Sequence, residues 1–308
     1  MRKPPAIAPG DTLAIVSPAS ACDESKLANG IKLLEDRGYK LVFGKACYDR
    51  CGFLAGADEA RARDLHNAWF DQDIKGIICS RGGYGTARLM SLLDLDRMAA
   101  IPKLFAGFSD ITTLHLALNR RGLATLHAPM VYSFVKERPA WVAEMWFDAF
   151  EGTAPIALPE GASRGKTLNE GSVESEVTGG CLCLLCDSLA TPDQLDAEGK
   201  IVLIEDVDEP PHRVDAMLTH LLNAGVLQRA AGIVVGEMTA TDAKTDEGIG
   251  GIPWREVVAE RLSALDVPIV VDFPFGHQNE MSSLPLGIRA RLDADTGELT
   301  YLELGVEK

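Results

Sequence analysis

Three residues of this chain have the types and surroundings that acyl transfer needs: Ser109, Glu205 and His277. Ser109 lies in KLFAGFSDITTLHLALNRRG, between an apolar run that reads as a strand and a helical pattern beginning at Ile111. A hydroxyl on such a corner is placed as a nucleophile is. The N–H of the next residue, Asp110, falls at the helix start, where it can stabilise an oxyanion. A plainer reading competes, because Ser and Asp are both favoured helix N-caps. GFSDI also lacks the second glycine of G-x-S-x-G, which argues against an α/β-hydrolase.

A second strand-to-helix corner, ICSRGGYGTARL, carries Gly82, Gly83 and Gly85, which let backbone N–H groups approach a ligand closely. It matches neither the dinucleotide fingerprint G-x-G-x-x-G nor the G-K-[ST] ending of a phosphate loop. Both corners belong at the carboxyl edge of one sheet, and an oxyanion hole draws its two donors from separate segments.

A serine nucleophile needs a base, and the base needs an orienting acid. Among six histidines, His66, His115 and His220 read as helical, His212 opens a helix, and His127 ends a strand. His277 instead falls in DFPFGHQNEMSSLPLG, a Gly/Pro-punctuated loop leaving an apolar strand. Glu205 closes the strand KIVLIED, while Asp206, Asp208 and Glu209 behind it read as solvated strand-end acids. The chain order is Ser, Glu, His, and geometry has to complete the assignment.

The elements that must position these residues alternate. DTLAIVSP, KLVFG, IKGIICS, KLFAGF and LATLHAP read as strands. Between them DESKLANGIKLLEDRGYK (with Asp23 as cap), ADEARARDLHNAWFDQ, GTARLMSLLD and ITTLHLALNRRG read as helices. Such alternation implies right-handed crossovers and a mainly parallel sheet covered on both faces in an N-terminal domain, residues 1–150. Residues 151–172, rich in Gly, Pro, Ser and Glu without apolar period, read as a linker. Residues 173–308 resume as a mixed α/β domain that closes on an antiparallel hairpin around DADTG.

Composition removes several function classes. With 45 acidic and 30 basic residues the net charge is −15, which repels nucleic acid and anionic lipid. No run approaches a membrane span, and Pro, Asp11 and Ser17 interrupt any signal-peptide core, so a cytoplasmic location is expected. Seven cysteines fit a reducing compartment. Cys181, Cys183 and Cys186 in GGCLCLLCDS have no second Cys or His pair at ligand spacing, so buried reduced thiols are expected, with no metal and no cofactor.

SRGGYGTARLMSLLD, PKLFAGFSDITTLHLAL, GKIVLIEDVDEPPHRVDAMLTHL and FPFGHQNEMSSLPLGIRARLD together resemble the signature blocks of the LD-carboxypeptidase family of serine peptidases, which includes the microcin-immunity hydrolases. The resemblance spans nearly the whole chain. It implies Ser109 as nucleophile, Glu205 and His277 as the other triad members, and oxyanion donors at Asp110 and Gly82, with Gly83 the close second. It also implies a Rossmann-like N-terminal domain, a C-terminal domain supplying Glu and His, and a homodimer. The implied reaction removes the terminal D-alanine of a murein tetrapeptide in peptidoglycan recycling. Hydrolysis of a peptidyl-nucleotide antibiotic is the alternative within the family, and a non-catalytic small-ligand binder the alternative outside it. Where relatives commonly read G-G-N-L, this chain has Cys181 for the asparagine. The acidic, glycine-rich loop between VVGEMTA and PWREVV is where differences in substrate preference are expected.

Overall fold

The computed structural model describes residues 1–245, 248 and 251–308. It divides into two compact units. One comprises residues 1–156, 283–287 and 304–308, and the other residues 157–282 and 288–303.

The first unit alternates as its apolar runs predict: β1 (Thr12–Val16), α1 (Ala28–Asp36), β2 (Lys40–Phe43), α2 (Asp58–Phe70), β3 (Ile74–Cys79), α3 (Leu95–Ala100), β4 (Leu104–Gly107), α4 (Thr112–Arg120), β5 (Thr125–His127) and α5 (Ala140–Glu151). These five strands pair in parallel in the order 5-4-3-1-2. Central strands such as β4 are buried along their whole length, because helices cover both faces of a doubly wound sheet.

The second unit contains β6 (Lys166–Asn169), β7 (Ser172–Cys181), α6 (Leu182–Asp187), β8 (Ile201–Val207), α7 (Pro211–Asn223), β9 (Gly232–Thr239), α8 (Trp254–Leu262) and β10 (Ile269–Val271). After it β11 (Leu284–Leu286) pairs antiparallel with β5 as the sixth strand of the first sheet. The chain then returns to the second unit for β12 (Arg289–Asp293) and β13 (Glu298–Tyr301), the expected hairpin. The second sheet runs 13-12-7-8-9-10-6, with a parallel centre from β7 to β10 and antiparallel strands at both ends.

Several elements differ from their sequence reading. Residues 151–172 are not a plain linker: they contain the end of α5 and β6, which pairs with β10, and β7 starts at Ser172. Residues 283–287 and 304–308, read as part of the C-terminal domain, belong to the first unit. GTARLMSLLD forms only a 3₁₀ turn, Thr86–Leu89; α3 starts at Leu95, where the Asp94 side chain accepts from the Arg97 N–H at 3.2 Å. Asp23 makes no capping bond and instead pairs with Arg50 at 2.9 Å.

Candidate active site

In the first unit, β4 leads through extended Phe108 to Ser109, whose φ is +64°. A left-handed conformation is costly for a residue with a Cβ, and it turns the chain sharply into the 3₁₀ turn Ser109–Ile111 that opens α4. The helix-cap reading does not hold here. Neither that turn nor α4 has a side-chain cap, and Asp110 is committed elsewhere. Its carboxylate accepts from the Thr86 N–H at 2.8 Å, clamping the glycine-rich turn to the serine corner. Burial pushes the Asp110 carboxyl above its ordinary range, against the opposing hydrogen bonds from Thr86 and Gly85 and the charge of Arg61.

The two candidate glycines differ. Gly82 is buried, and a Cβ built on it would stand 2.9 Å from the Ser109 Cβ, 3.1 Å from its Oγ and 3.3 Å from the Asp110 nitrogen. Gly83 is exposed, has φ +110°, and a Cβ there would meet the Ser20 side chain instead. Fully buried Arg61 ties this turn down from α2, donating to the carbonyls of Gly85 and Pro18 and pairing with Asp58. Buried His115 braces β4 from below: one ring nitrogen lies 2.9 Å from the Gly107 carbonyl and the other 2.9 Å from Thr125 Oγ1. Burial depresses its pKa to about 3, so His115 is a neutral strut. The His127 ring lies tilted against Phe108, with centroids 5.7 Å apart. Arg81 lines a cleft of about 380 Å³ with Ser20, Lys26 and Arg50, whereas Arg289 lies on β12 and pairs with Glu174 at 3.5 Å.

The second unit brings Glu205 and His277 together. Glu205 is fully buried near the end of β8, and its Oε2 lies 2.6 Å from His277 Nδ1. The ladder between β8 and β9 shifts register between Ile204 and Asp206, as bulges beside functional side chains do. The loop carrying His277 is laced to itself: Gln278 donates to the Phe273 carbonyl at 2.8 Å, and Ser282 Oγ to the Pro274 carbonyl at 2.7 Å. Gly276, at φ +90°, is required where this loop crosses the acid, since a Cβ there would fall 2.5 Å from Glu205 Oε2. Burial by itself would lower the imidazole pKa. The charge and hydrogen bond of Glu205, backed by Asp206 and Asp208, outweigh burial and raise it.

The acids behind Glu205 split. Asp208 is exposed and pairs with Lys244 at 3.3 Å, and Glu209 lies 3.7 Å from Arg213, as solvated groups do. Asp206 departs from that expectation: it is 1% exposed, accepting from the N–H groups of Cys183 and Val207 at 2.8 and 2.7 Å. Burial first, then the charge of Glu205, pushes its pKa up to about 6. Of the loop expected to carry substrate preference, residues 246, 247, 249 and 250 lie outside the described residues. Its described part includes a 3₁₀ turn, Asp242–Lys244.

Residues 13–128 match the LD-carboxypeptidase N-terminal domain, and residues 174–292 match the LD-carboxypeptidase C-terminal domain. The chain belongs to the LD-carboxypeptidase family. It is 34% identical to a probable murein peptide carboxypeptidase of Bacillus subtilis, over 99% of this chain and 96% of that one. It is 30% identical to the murein tetrapeptide carboxypeptidase of Pseudomonas aeruginosa, with 92% and 93% covered. The microcin C7 self-immunity protein MccF of Escherichia coli is 27% identical over 98% and 96%. Among solved structures, a muramoyltetrapeptide carboxypeptidase from Oxalobacter formigenes superposes with a TM-score of 0.83 at 30% identity, covering 94% of this chain and 97% of that one. Membership in this family makes the chain a carboxypeptidase-type enzyme, as the signature blocks implied.

The sequence reading missed the Asp110 clamp on Thr86 and the burial of Asp206. A carboxylate directly after the serine was visible, but its partner is set by contacts between neighbouring strand ends that no local pattern encodes.

Proposed function

We propose that this enzyme is a serine LD-carboxypeptidase that removes the terminal D-alanine of murein tetrapeptides, serving peptidoglycan recycling in the cytoplasm as a homodimer. One observation carries the reading. A fully buried carboxylate grips one imidazole nitrogen at 2.6 Å, leaving His277 oriented and basic, while Ser109 is held in a strained turn suited to a nucleophile.

In the proposed reaction His277 Nε2 takes the Ser109 hydroxyl proton as the oxygen attacks the amide carbonyl of the L-centre. The Asp110 and Gly82 N–H groups receive the oxyanion, and Gly82 is the better of the two glycines because its backbone borders Ser109. His277 then protonates the leaving amine of D-alanine. Water, deprotonated by His277, hydrolyses the acyl-enzyme and restores the serine. Throughout, ionised Glu205 stabilises the imidazolium. Arg81, near the glycine turn and lining a polar cleft, is the proposed partner of a substrate carboxylate.

Incubating the enzyme with a murein tetrapeptide and following mass tests this directly. Loss of one alanine, absent with Ser109→Ala, is expected; an unchanged tetrapeptide at high enzyme concentration would overturn it. Similarity to MccF keeps a second reading, and a peptidyl-nucleotide conjugate run in parallel separates the two by relative kcat/KM.

A further inference from the structure

Outside the proposed triad, the structure gathers three acidic ligand groups at one place in the second unit. The Sγ atoms of Cys181 and Cys183 lie 3.5 Å apart, and these two sulfurs and a carboxylate oxygen of Asp206 are all within 4.8 Å of one another. Cys181 ends β7, Cys183 lies in the first turn of α6, and Asp206 comes from the adjacent strand β8. Spacing alone could not reveal this set, because its third donor arrives 23 residues after Cys183 through strand pairing.

We propose that Cys181, Cys183 and Asp206 form a binding site for a thiophilic divalent cation of the zinc class, distinct from the proposed triad. Four features support it. Two sulfurs each about 2.3 Å from a tetrahedral ion stand roughly 3.8 Å apart, so the observed separation needs only a small adjustment. Two thiols with one carboxylate select zinc-like ions over magnesium or calcium, which take oxygen ligands. Asp206 is already oriented, since backbone N–H groups of Cys183 and Val207 hold its two oxygens, as outer hydrogen bonds hold ligating carboxylates in metal sites. Lastly, Asp206 is 1% exposed, and among the described residues no Lys or Arg pairs with it. A buried carboxylate without a cation is costly, and a divalent ion supplies the missing charge.

Cys183 is half-buried, which gives the ion a way in, and a water completes a fourth position. Each thiol releases its proton to solvent on ligation. Cys186 is not part of the set, its thiol being hydrogen-bonded to the Met217 carbonyl. The ion is a ligand of the protein and takes no step in the proposed reaction.

The test uses full-length enzyme, reduced with a phosphine and stripped by chelator, then titrated with Cd²⁺ while thiolate-to-metal charge-transfer absorbance is recorded. Zn²⁺ stoichiometry is measured in parallel by equilibrium dialysis. One ion per chain with a thiolate band is expected for wild type and for Cys186→Ala. Cys183→Ala and Cys181→Ala should each weaken binding by about 100-fold or more. Cys183 is the less buried of the two, so its variant keeps the test valid if Cys181→Ala fails to fold, as thermal melts will show. Absence of a stoichiometric band in wild type, or its survival in folded Cys183→Ala, overturns the proposal. Neither result depends on peptidase activity.

Discussion

Ser109 combines two properties that substitution can separate. Its hydroxyl is the proposed nucleophile, and its Cβ sits in a left-handed conformation. Ser109→Ala keeps the Cβ and its strain, so kcat should fall by several orders of magnitude with an unchanged melting temperature. Ser109→Gly should be equally inactive yet more stable by about 1 kcal/mol, measured by urea denaturation. If the glycine variant is the less stable of the two, the turn is not strained. Glu205 raises the pKa of His277, and only neutral imidazole can take the serine proton, so the acidic limb of kcat/KM should lie above the ordinary value of 6.5. Glu205→Gln removes both the charge and the acceptor that raise it, so that limb should move to lower pH while kcat drops roughly 10²- to 10⁴-fold. Asp208→Asn and Glu209→Gln, on solvated positions, should change kcat less than about threefold. A limb that stays put in Glu205→Gln would remove Glu205 from the site. The sequence singled out Ser109, Glu205 and His277 as candidates because each occupies a strand end or a Gly/Pro loop, where a polar residue interrupts an apolar pattern. It hid the burial of Asp206, because alternation along a strand says nothing of what packs beyond its last residue.

At the scale of elements, the glycine-rich turn and the serine corner act as one piece, joined by the Asp110 bond to Thr86 and tied down by Arg61. Gly82→Ala intrudes on Ser109 without demanding an unusual φ, so it should cost roughly 10²-fold or more in kcat with a modest change in melting temperature. Gly83→Ala should do the opposite, destabilising by about 1 to 2 kcal/mol because its φ is +110°, with a smaller effect on kcat. Steady-state kinetics beside thermal melts distinguish these outcomes, and an exchange of the two phenotypes would move the proposed donor to Gly83. The parallel strands and long helices were readable from apolar runs of the right period. The 3₁₀ turn at Thr86–Leu89 was not, since Leu89, Met90 and Leu92 give a helical-looking pattern that the Asp110 clamp and the Asp94 cap interrupt.

The whole molecule is threaded rather than strung as two beads, because the chain leaves the first unit after residue 156 and returns to it for residues 283–287 and 304–308. Sequence reading placed one boundary near residue 150 and could not see the returns, because a three-residue strand such as Leu284–Leu286 carries too short a pattern to name its partner. A fragment of residues 1–156 therefore lacks the sixth strand and the tail that carries buried Val306, leaves the apolar surface these cover open to solvent, and should be aggregation-prone when expressed alone. A monomeric, cooperatively melting fragment would contradict this. If the enzyme is a homodimer, sedimentation equilibrium of the full chain should give twice its 33.1 kDa. The threading also has a meaning in time. A ribosome that has finished β5 must add about 160 residues before β11 is complete, on the order of ten seconds of synthesis during which the outer edge of β5 has no partner. That edge is only three residues long, so the nascent chain offers neighbouring chains little to pair with while it waits.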